Sequence, residues 1–490
     1  MITITGKNII AGIKSSKGNN SYHSINPKTF ERSKITFTDA NQHEIDKALE
    51  EAKLSFMNLQ YKTIPLFLKE VSHQIMQLGD QLLEIANWET ALGLKRLENE
   101  RIRTCTQIEK FAEYIEQGNH WDISIDQQSN IKSMNVPIGP ILVFPASNFP
   151  FAFGVCGGDT VSAWAAGCPA IVKAHPSHPQ TSELFAHGVN KAIEKQQMPK
   201  GFFSLLHGKN PNVSKKLVLH PRLEAIGFTG SFSVGNSLFQ LATSRTKPIP
   251  VYAEMGSINP MFIVSYQNDT PEEIANSITI GSGQFCTKPG VIFVTEETID
   301  IIGKIIEKIK KIKQGILLNE NIKKRLATSV YETRQIKNVE VLVGGNEIPN
   351  QCSFDNTLLI TDAKTYLKHN ILHHEHFGPV ALFVKCKHIE EFIEIAKTLE
   401  GQLTASIYTQ DTEMNTVKPL FKELIHRVGR IIINGVPTGV KVCTAMTHGG
   451  PYPATTAPHT TSVGMKAIRR FLRPISFQNV PSKLLPEPLQ

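Results

Sequence analysis

A cysteine set among small residues is the first feature that could do chemistry. Cys286 lies in the run GSGQFCTKPG, whose glycines would let a substrate approach the sulfur without steric block. A free thiol is mostly un-ionised at neutral pH unless a cation or a helix N-terminus lowers its pKa, and Lys288 is a nearby cation. A buried, inert cysteine is nevertheless the commoner case, so this pattern alone leaves both roles open.

A segment rich in glycine and serine could bind a phosphate. Residues 227–235, GFTGSFSVG, follow a predicted strand and begin a predicted helix, where free backbone N–H groups attract phosphate. The segment is neither a GxGxxG fingerprint nor a P-loop, which needs lysine where Asn236 stands. Most strand-to-helix turns of this composition are only turns, so the segment does not establish a nucleotide site by itself.

Three further polar residues stand in turns or at the ends of apolar runs. Asn148 of VFPASNFP offers amide donors, Lys173 of VKAHP ends one β-rich run, and Glu254 of AEMG ends another. Taken singly, they are equally well explained as a turn amide, a solvated cation and a surface acid. These three residues could take part in one reaction only if the helices and strands of the fold bring them close together.

The pattern of elements favours an α/β protein. Residues from about 43 to 117 carry apolar side chains at three- and four-residue steps, which predicts helices. From Ile141, short β-rich runs alternate with helical stretches, and the alternation resumes after Pro260, which predicts two parallel sheets covered by helices. One strand in residues 121–136 and another in 469–480 are left over, and such strands often pair with another subunit.

The composition limits the class of protein. The chain has 490 residues, of which 41% are hydrophobic and 20% charged, so two or three domains of about 150 residues are expected. A net charge of +8 without a basic tail favours anionic small molecules over nucleic acid. Prolines interrupt the longest uncharged stretch, residues 134–158, so we expect no membrane helix. Seven scattered cysteines and no signal pattern predict a cytoplasmic protein.

Seven motifs follow one another along the chain: FPASNFP, VKAHP, FTGSFSVG, EMGSINP, GQFCTKPG, HEHFGPV and RIIING. In content and order they closely resemble the aldehyde dehydrogenase superfamily over nearly the whole chain. The resemblance implies an α/β fold with two doubly wound parallel-sheet domains: a Rossmann-like nicotinamide cofactor-binding domain (residues 1–118 and 138–256) and a catalytic domain (257–464). It also implies a small β oligomerisation element (119–137 and 465–490) and a homodimer or homotetramer.

The same resemblance implies a role for individual residues. Cys286 would be the nucleophile that forms a thiohemiacetal and then a thioester. Asn148 and the backbone N–H of Cys286 would bind the oxyanion, and Glu254 would be the general base for the hydrolytic water. The implied cofactor contacts are Lys173 and Glu375 at the ribose hydroxyls, Phe377 beside the nicotinamide ribose, and Gly230, Ser231 and Gly235 near the pyrophosphate.

Departures from the family pattern bear on cofactor and substrate. Members specific for NAD carry a glutamate three residues beyond the lysine, but Pro176 stands there, so a 2′-phosphate would meet no like charge. We therefore expect NADP to be accepted or preferred, with NAD also used. The run MTHGGPYPATTAPHTTSVGMKAIRRFLRP resembles the branch of 2,5-dioxopentanoate (α-ketoglutaric semialdehyde) dehydrogenases. Cys156 replaces the arginine usual in succinic-semialdehyde enzymes, which leaves the residue that binds the substrate carboxylate unassigned.

Other functions stay open at this point. A branch of NADP-dependent fatty aldehyde dehydrogenases has similar motifs, so a fatty or other aliphatic aldehyde is the second candidate substrate. A non-catalytic nicotinamide-binding protein and an enzyme that acylates coenzyme A are the other classes. We expect no metal, because His373, His374 and His376 lack a second ligand cluster with zinc spacing. Neither a membrane nor a nucleic acid is an expected partner.

Overall fold

The computed structural model describes residues 2–490. Its α-helices are α1 (Gln42–Met57), α2 (Ile64–Gln77), α3 (Gly79–Thr90), α4 (Leu94–Glu116), α5 (Gly158–Ala165), α6 (Pro179–Lys195), α7 (Pro211–Leu219), α8 (Phe232–Thr243), α9 (Thr270–Thr279), α10 (Ile301–Ile309), α11 (Glu320–Arg334), α12 (Ala363–Lys368), α13 (Ile389–Thr398) and α14 (Met414–Ile425). Its strands are β1 (Asn8–Ile10), β2 (Ile13–Ser15), β3 (Ser21–Tyr22), β4 (Phe37–Thr38), β5 (Ser124–Asp126), β6 (Ile131–Pro137), β7 (Ile141–Phe144), β8 (Ala170–Lys173), β9 (Phe203–Leu206), β10 (Ala225–Thr229), β11 (Val251–Glu254), β12 (Met261–Ile263), β13 (Val291–Val294), β14 (Glu340–Val343), β15 (Glu347–Ile348), β16 (Ser353–Phe354), β17 (Thr357–Asp362), β18 (Val380–Lys385), β19 (Gln402–Tyr408), β20 (Val428–Ile433) and β21 (Leu472–Gln478).

The first sheet has the order β11-β10-β7-β8-β9-β1-β2. Strands β7 to β11 are parallel, while β1 and β2 extend the sheet in antiparallel pairing. Every residue of β7 and β9 is buried, because helices cover both faces, and this explains why β7 is wholly apolar and β9 carries no charge. The strand order reverses between β7 and β10, and a reversal of this kind opens a crevice at the carboxyl ends of the strands.

The second sheet has the order β14-β17-β18-β13-β12-β19-β20 and is parallel except for β14. Its core contains Phe262 and Phe293, whose rings stack with centroids 4.8 Å apart. The two sheets confirm the predicted fold class. The antiparallel β1 and β2 were not predicted, because each is only three residues long.

A three-stranded sheet, β21-β6-β5, lies outside the two large ones. The prediction of one strand in residues 121–136 was wrong, because a turn at 127–130 divides it into the hairpin β5–β6. Strand β21 pairs with β6 of the same chain over seven residue pairs. The leftover strands therefore pair with each other within the chain, and the outer strand β5 is exposed.

The helices predicted from about residue 43 to 117 are α1 to α4. Helices α2 and α3 are separated at Leu78, while α4 runs unbroken for 23 residues. The C-terminal segment packs on α5 through a buried ion pair, with Arg470 Nη1 2.7 Å from Asp159 Oδ1. Within residues 2–490, no helix combines the length and the apolar character needed to cross a membrane.

Candidate active site

Four of the predicted residues meet at the carboxyl edge of the first sheet. Asn148 lies in the loop after β7, Lys173 is the last residue of β8, Gly230 follows β10 and Glu254 ends β11. Because carboxyl ends of parallel strands share one edge of the sheet, these residues surround the crevice where the strand order reverses.

The segment between α9 and β13 brings Cys286 to this crevice. Gly281, Ser282 and Gly283 have φ angles of 58°, 57° and 65°, three successive left-handed residues that turn the chain sharply before the cysteine. At Gly283 a Cβ would collide with the carbonyl group of Gly378, so only glycine fits. The small residues noted in the sequence therefore shape the turn as well as leave the sulfur accessible.

Asn259 fixes the backbone of the cysteine segment. Its Nδ2 donates to the carbonyl oxygens of Cys286 at 2.8 Å and Lys288 at 2.9 Å. Its Oδ1 accepts from the hydroxyls of Ser257 and Thr404. The asparagine of the EMGSINP motif is thus fully buried and bonded on both sides, and it holds the segment in one position.

Asn148 lies directly against the cysteine segment. Its Nδ2 donates to the carbonyl oxygen of Gln284 at 2.9 Å, and its own backbone carbonyl oxygen accepts from Arg96 Nη2 at 2.8 Å. One amide hydrogen of Asn148 stays free, and the backbone N–H of Cys286 makes no hydrogen bond within residues 2–490. Both donors are therefore available to an oxyanion that forms at the cysteine.

A histidine that sequence reasoning missed lies between Cys286 and Glu254. His448 Nε2 is 3.5 Å from Cys286 Sγ and 2.8 Å from Glu254 Oε1, the latter at an angle poor for a hydrogen bond. The second carboxylate oxygen of Glu254 accepts from the hydroxyl of Ser462. His448 and Glu254 are buried, whereas Cys286 is partly exposed, so a substrate can approach the sulfur but not the pair behind it.

The charges around the sulfur favour a neutral thiol in the resting protein. Desolvation, followed by the carboxylates of Glu254 and Glu375, raises the pKa of Cys286 well above its ordinary value. Burial also tends to raise the pKa of Glu254, but the charge and contact of His448 and the hydroxyl of Ser462 bring that pKa below its ordinary value. The site therefore contains an ionised carboxylate (Glu254), an imidazole (His448) and a thiol (Cys286), with the imidazole lying between the other two.

Lys288, the cation expected to assist the cysteine, is engaged elsewhere. Its Nζ donates to the carbonyl oxygen of Val380 at 2.5 Å, and burial lowers its pKa to about 8, an effect that Glu375 opposes. Burial raises the pKa of Glu375 to about 7, against the attraction of Lys288. The Glu375 carboxylate lies against Gly256, where any Cβ would collide with it. Phe377 follows in the same loop and is half-buried.

The crevice has unpaired groups that fit a dinucleotide. Burial lowers the pKa of Lys173 to about 8, and its Nζ makes no hydrogen bond to any described residue. The hydroxyl of Thr229 at the end of β10 is buried without a partner among the described residues. Helix α8 begins after Ser231, whose side chain does not cap it, so the N–H groups of its first turn are free for a phosphate.

The two glycines of this segment allow close packing. A Cβ on Gly230 would lie 2.6 Å from the Phe228 ring, and one on Gly235 would lie 2.7 Å from Met255 Sδ. Because neither glycine has a Cβ atom, the start of α8 can pack against the end of β11. Pro176 lies half-buried in the turn after Lys173, with no acid in its place.

The three clustered histidines have separate partners. His373 Nε2 contacts the carbonyl oxygen of Tyr366 at 3.0 Å, His376 Nδ1 contacts the hydroxyl of Ser329 at 2.8 Å, and His374 is exposed. The structure thus does not bring them together as ligands. Ligand atoms of Cys286, Glu254 and His448 do lie within 4.8 Å of one another, a spacing that a soft cation could also use.

Sequence reasoning missed His448 because nothing nearby in the chain marks it. It stands in MTHGGPYP, a run that served only to compare family branches. Its backbone N–H donates to the hydroxyl of Thr461 at 2.9 Å, and its carbonyl oxygen accepts from the N–H of Ser462 at 2.8 Å. A histidine directly before a pair of glycines was the only available signal.

The doubly wound fold, the free helix end at its switch point and a cysteine beside a His–Glu pair together define a nicotinamide-dependent oxidoreductase. The sequence profile described as "Aldehyde dehydrogenase family" matches residues 13–453. The chain belongs to the aldehyde dehydrogenase family, as the resemblance predicted.

Relatives and solved structures agree with this result. The chain is 39% identical to alpha-ketoglutaric semialdehyde dehydrogenase 2 of Azospirillum brasilense, over 93% of this chain and 90% of the relative. It is 35% identical to alpha-ketoglutaric semialdehyde dehydrogenase of Acinetobacter baylyi, over 99% of this chain and 96% of the relative. A point mutant of betaine aldehyde dehydrogenase from Staphylococcus aureus, solved with NAD+, has the same fold, with a TM-score of 0.84 at 18% identity over 99% of this chain and 100% of that one.

Proposed function

We propose that this chain oxidises 2,5-dioxopentanoate (α-ketoglutaric semialdehyde) to 2-oxoglutarate with NADP or NAD. The chemistry rests on one observation, the contact of Cys286 with His448 and Glu254 beside the amide of Asn148. The substrate is supported by the two relatives named as alpha-ketoglutaric semialdehyde dehydrogenases, which match nearly the whole chain.

The first step is attack of the sulfur on the aldehyde carbon. The thiol proton of Cys286 passes to His448 Nε2, and the ionised Glu254 balances the resulting imidazolium. Asn148 Nδ2 and the N–H of Cys286 stabilise the oxyanion of the thiohemiacetal. Loss of one such donor typically costs about 10²- to 10³-fold in rate.

The second half of the reaction releases the acid. A bound oxidised NADP or NAD would supply the hydride acceptor. Once the thiohemiacetal has lost its hydride, the acyl group is held as a thioester on Cys286. The imidazolium of His448 first releases the thiol proton to solvent. Glu254, relayed by the neutral His448, then removes a proton from the attacking water, and the carboxylate departs as the thiol is restored. One aldehyde, one water and one oxidised cofactor give one carboxylate, one reduced cofactor and two protons.

The cofactor contacts follow the residues around the crevice. We assign the ribose hydroxyls to Lys173 and Glu375, the nicotinamide ribose to the surroundings of Phe377, and the pyrophosphate to the start of α8 with Gly230, Ser231 and Gly235. Pro176 leaves room for a 2′-phosphate without a repelling carboxylate, which supports use of NADP.

We propose that cofactor binding, catalysis and assembly belong to three different parts of the chain. Residues 1–118 and 138–256 would bind the cofactor, residues 257–464 would supply the catalytic segment, and residues 119–137 with 465–490 would join copies into a homodimer or homotetramer. The exposed edge of β5 supports that last assignment. All seven cysteines are free thiols, which supports a cytoplasmic location.

The experiment compares kcat/KM for 2,5-dioxopentanoate, succinic semialdehyde and a long aliphatic aldehyde, each with NADP and NAD, by following reduced nicotinamide. We expect 2,5-dioxopentanoate to have the highest value and Cys286→Ala to bind NADP without turnover. A preference for the long aldehyde would replace the proposed substrate by an aliphatic one. Turnover only with added coenzyme A would replace hydrolysis, and no turnover with any aldehyde would indicate a binding protein.

A further inference from the structure

Helix α4 carries a row of polar side chains along one face. Arg96, Glu100, Arg103 and Gln107 are spaced by four, three and four residues, which places them on the same side of a helix. Each has a buried side-chain atom without a partner among the described residues: Arg96 Nη1, Glu100 Oε2, Arg103 Nη1 and both amide atoms of Gln107. Buried polar atoms are nearly always paired, so these unpaired atoms are free to form hydrogen bonds with a bound polar group.

The polar row borders the loop that carries the oxyanion donor. Glu100 Oε1 accepts from the backbone N–H groups of Phe151 and Ala152, both at 2.9 Å. These bonds hold the segment just beyond Asn148 against α4. The row therefore faces the same cleft as the cysteine.

Arg103 is the member nearest the reacting groups. Its guanidinium carbon lies 5.6 Å from the centre of the Phe153 ring, and that ring lies 6.3 Å from the ring of His448. The charges of Cys286 and Glu254 act on Arg103, and Arg103 in turn acts to lower the pKa of Cys286. A group bound to Arg103 would therefore lie beside the catalytic residues.

Arg103 also has its donors free. No hydrogen bond or ion pair joins its guanidinium to any residue in 2–490, and it is only partly exposed to water. Arg96, by contrast, is packed on the rings of Phe149 and Phe285 at 5.1 and 4.8 Å and donates to the carbonyl oxygen of Asn148. Arg96 therefore positions the oxyanion loop, and its row neighbour Arg103 remains available.

A third arginine near the sulfur has its terminal nitrogens occupied. The terminal nitrogens of Arg430 donate to the carbonyl oxygens of Gly439 at 3.0 Å and Pro437 at 2.5 Å. It acts on Cys286 only through its charge. Among these three arginines, only Arg103 has a guanidinium group that makes no hydrogen bond to the described residues.

We propose that Arg103 binds the carboxylate of the aldehyde substrate through paired N–H···O hydrogen bonds. The inference deepens the proposed function and rests on it in taking the substrate to be an acidic aldehyde. A planar guanidinium matches the two oxygens of a carboxylate, and such charge-assisted pairs are about twice as strong as neutral ones. The polar row contains two arginines and one glutamate, so its net charge stays positive. Glu100 therefore does not cancel the attraction between Arg103 and the substrate carboxylate.

The test compares Arg103→Met and Arg103→Lys with Lys95→Met, which removes a charge from an exposed position on α4. The measured quantity is the ratio of kcat/KM for 2,5-dioxopentanoate to that for pentanal, a neutral aldehyde. We expect the ratio to fall about 10- to 100-fold in Arg103→Met, mainly through KM, and less in Arg103→Lys, which keeps the charge without the fork. Lys95→Met should keep the wild-type ratio. An unchanged ratio in Arg103→Met, confirmed as folded by its melting temperature, would overturn the proposal.

A second measurement separates this inference from the proposed substrate. If the wild type prefers succinic semialdehyde, the proposed substrate fails, and Arg103 is tested by the same ratio for that acid. If the wild type prefers no acidic aldehyde, the proposed function fails, and glutarate is tested as a competitive inhibitor of pentanal oxidation. Its inhibition constant should rise at least about tenfold in Arg103→Met. Equal inhibition of both proteins, or none of the wild type, would reject Arg103 as the carboxylate site.

Discussion

At the scale of single residues, the site is a row of three groups in contact: a thiol, an imidazole and a carboxylate. The pKa of Cys286 is raised and that of Glu254 is lowered, with His448 in contact with both. A proton that leaves the sulfur therefore has a defined acceptor, and the positive charge it creates has a defined counter-ion. The same pair can then serve the water that releases the product.

Glu254→Gln should separate the two halves of the reaction. The amide cannot accept a proton from water, so we expect a burst of reduced cofactor, slower than in wild type because the imidazolium loses its counter-ion, followed by a steady rate about 10²- to 10⁴-fold below wild type. Stopped-flow absorbance measures both phases. Equal slowing without a burst would mean that Glu254 does not act in thioester hydrolysis.

The rate of alkylation of Cys286 by iodoacetamide should depend steeply on pH. Only the thiolate reacts, and a raised pKa keeps the group protonated at neutrality, so the rate should increase about tenfold per pH unit and still be rising at about pH 9. His448→Gln should slow alkylation at neutral pH, because it removes the imidazole beside the sulfur. Mass spectrometry counts the adducts, with Cys286→Ala as the blank, and a plateau below about pH 8 would contradict the raised pKa.

Pro176→Glu should reduce the use of NADP. A carboxylate three residues beyond Lys173 would repel the 2′-phosphate, so kcat/KM for NADP should fall about 10- to 100-fold while that for NAD changes little. Pro176→Gln is the matched control, with similar size and no charge. If the glutamine variant loses NADP activity to the same extent, backbone change rather than charge is responsible.

The sequence could predict some of these residues and not others. Asn148 follows β7, while Lys173 and Glu254 end β8 and β11. These strands are parallel, so the meeting of the three residues at the carboxyl edge follows from chain order. His448 and Arg103 carry no such signal, since their closeness to Cys286 depends on how a C-terminal loop and the helix α4 pack. Lys288 shows the converse error, because a short distance along the chain did not place its ammonium beside the sulfur.

At the scale of elements, two sheets each contribute half of the cleft. The first sheet presents strand ends and the start of α8, while the cysteine segment leads into β13 of the second sheet. The buried Asn259, which follows β11 and precedes β12, bonds to the cysteine segment and has a left-handed φ of 45°. This one side chain ties the two halves of the cleft together.

Asn259→Ala should weaken both the fold and the reaction. It leaves two buried carbonyl groups of the cysteine segment unpaired and puts alanine at a positive φ, so we expect a loss of about 2–4 kcal/mol in unfolding free energy and a lower kcat. Asn434→Ala is the control, since Asn434 also has a positive φ of 49° and bonds through its side chain to Thr409. Denaturant unfolding and steady-state kinetics measure both variants. A kcat reduced equally in the two would show that Asn259 has no specific role at the site.

At the scale of the whole molecule, the three-stranded sheet is separate from the machinery of the cleft. Only β6 is paired on both sides, so β21 and β5 are the edge strands of this sheet, and β5 also carries Ile125, whose exposed fraction is 55%. A free edge with an exposed β-branched residue is a surface that a second copy of the chain can extend.

Ile125→Lys should weaken assembly into dimers or tetramers. A lysine on the edge strand opposes strand addition, so light scattering over a concentration series should show a larger monomer fraction than in the wild type. Leu66→Lys, at a helix position exposed to 56%, is the matched control. A monomeric wild type would contradict assembly altogether, and the same shift in both variants would place the interface elsewhere.

The overall architecture was more predictable than the packing that completes it. Runs such as ILVF and VALFV are apolar because both faces of their strands are covered, and that pattern survives in the sequence. Strands β1 and β2 were not predicted because a strand of three residues is too short to show the alternation of apolar and polar side chains. The turn at 127–130 was missed because the strands on both sides alternate in the same way.

The late position of His448, Ser462 and Arg470 in the chain has a consequence for synthesis on the ribosome. A nascent polypeptide that has emerged only through β20 already contains Cys286 and Glu254, but it lacks the imidazole and hydroxyl that contact them and the arginine that pairs with Asp159. Its carboxylate would stand without a counter-ion. Truncated translation products should therefore be inactive toward aldehydes, and competence should appear only when the final tenth of the polypeptide has been released.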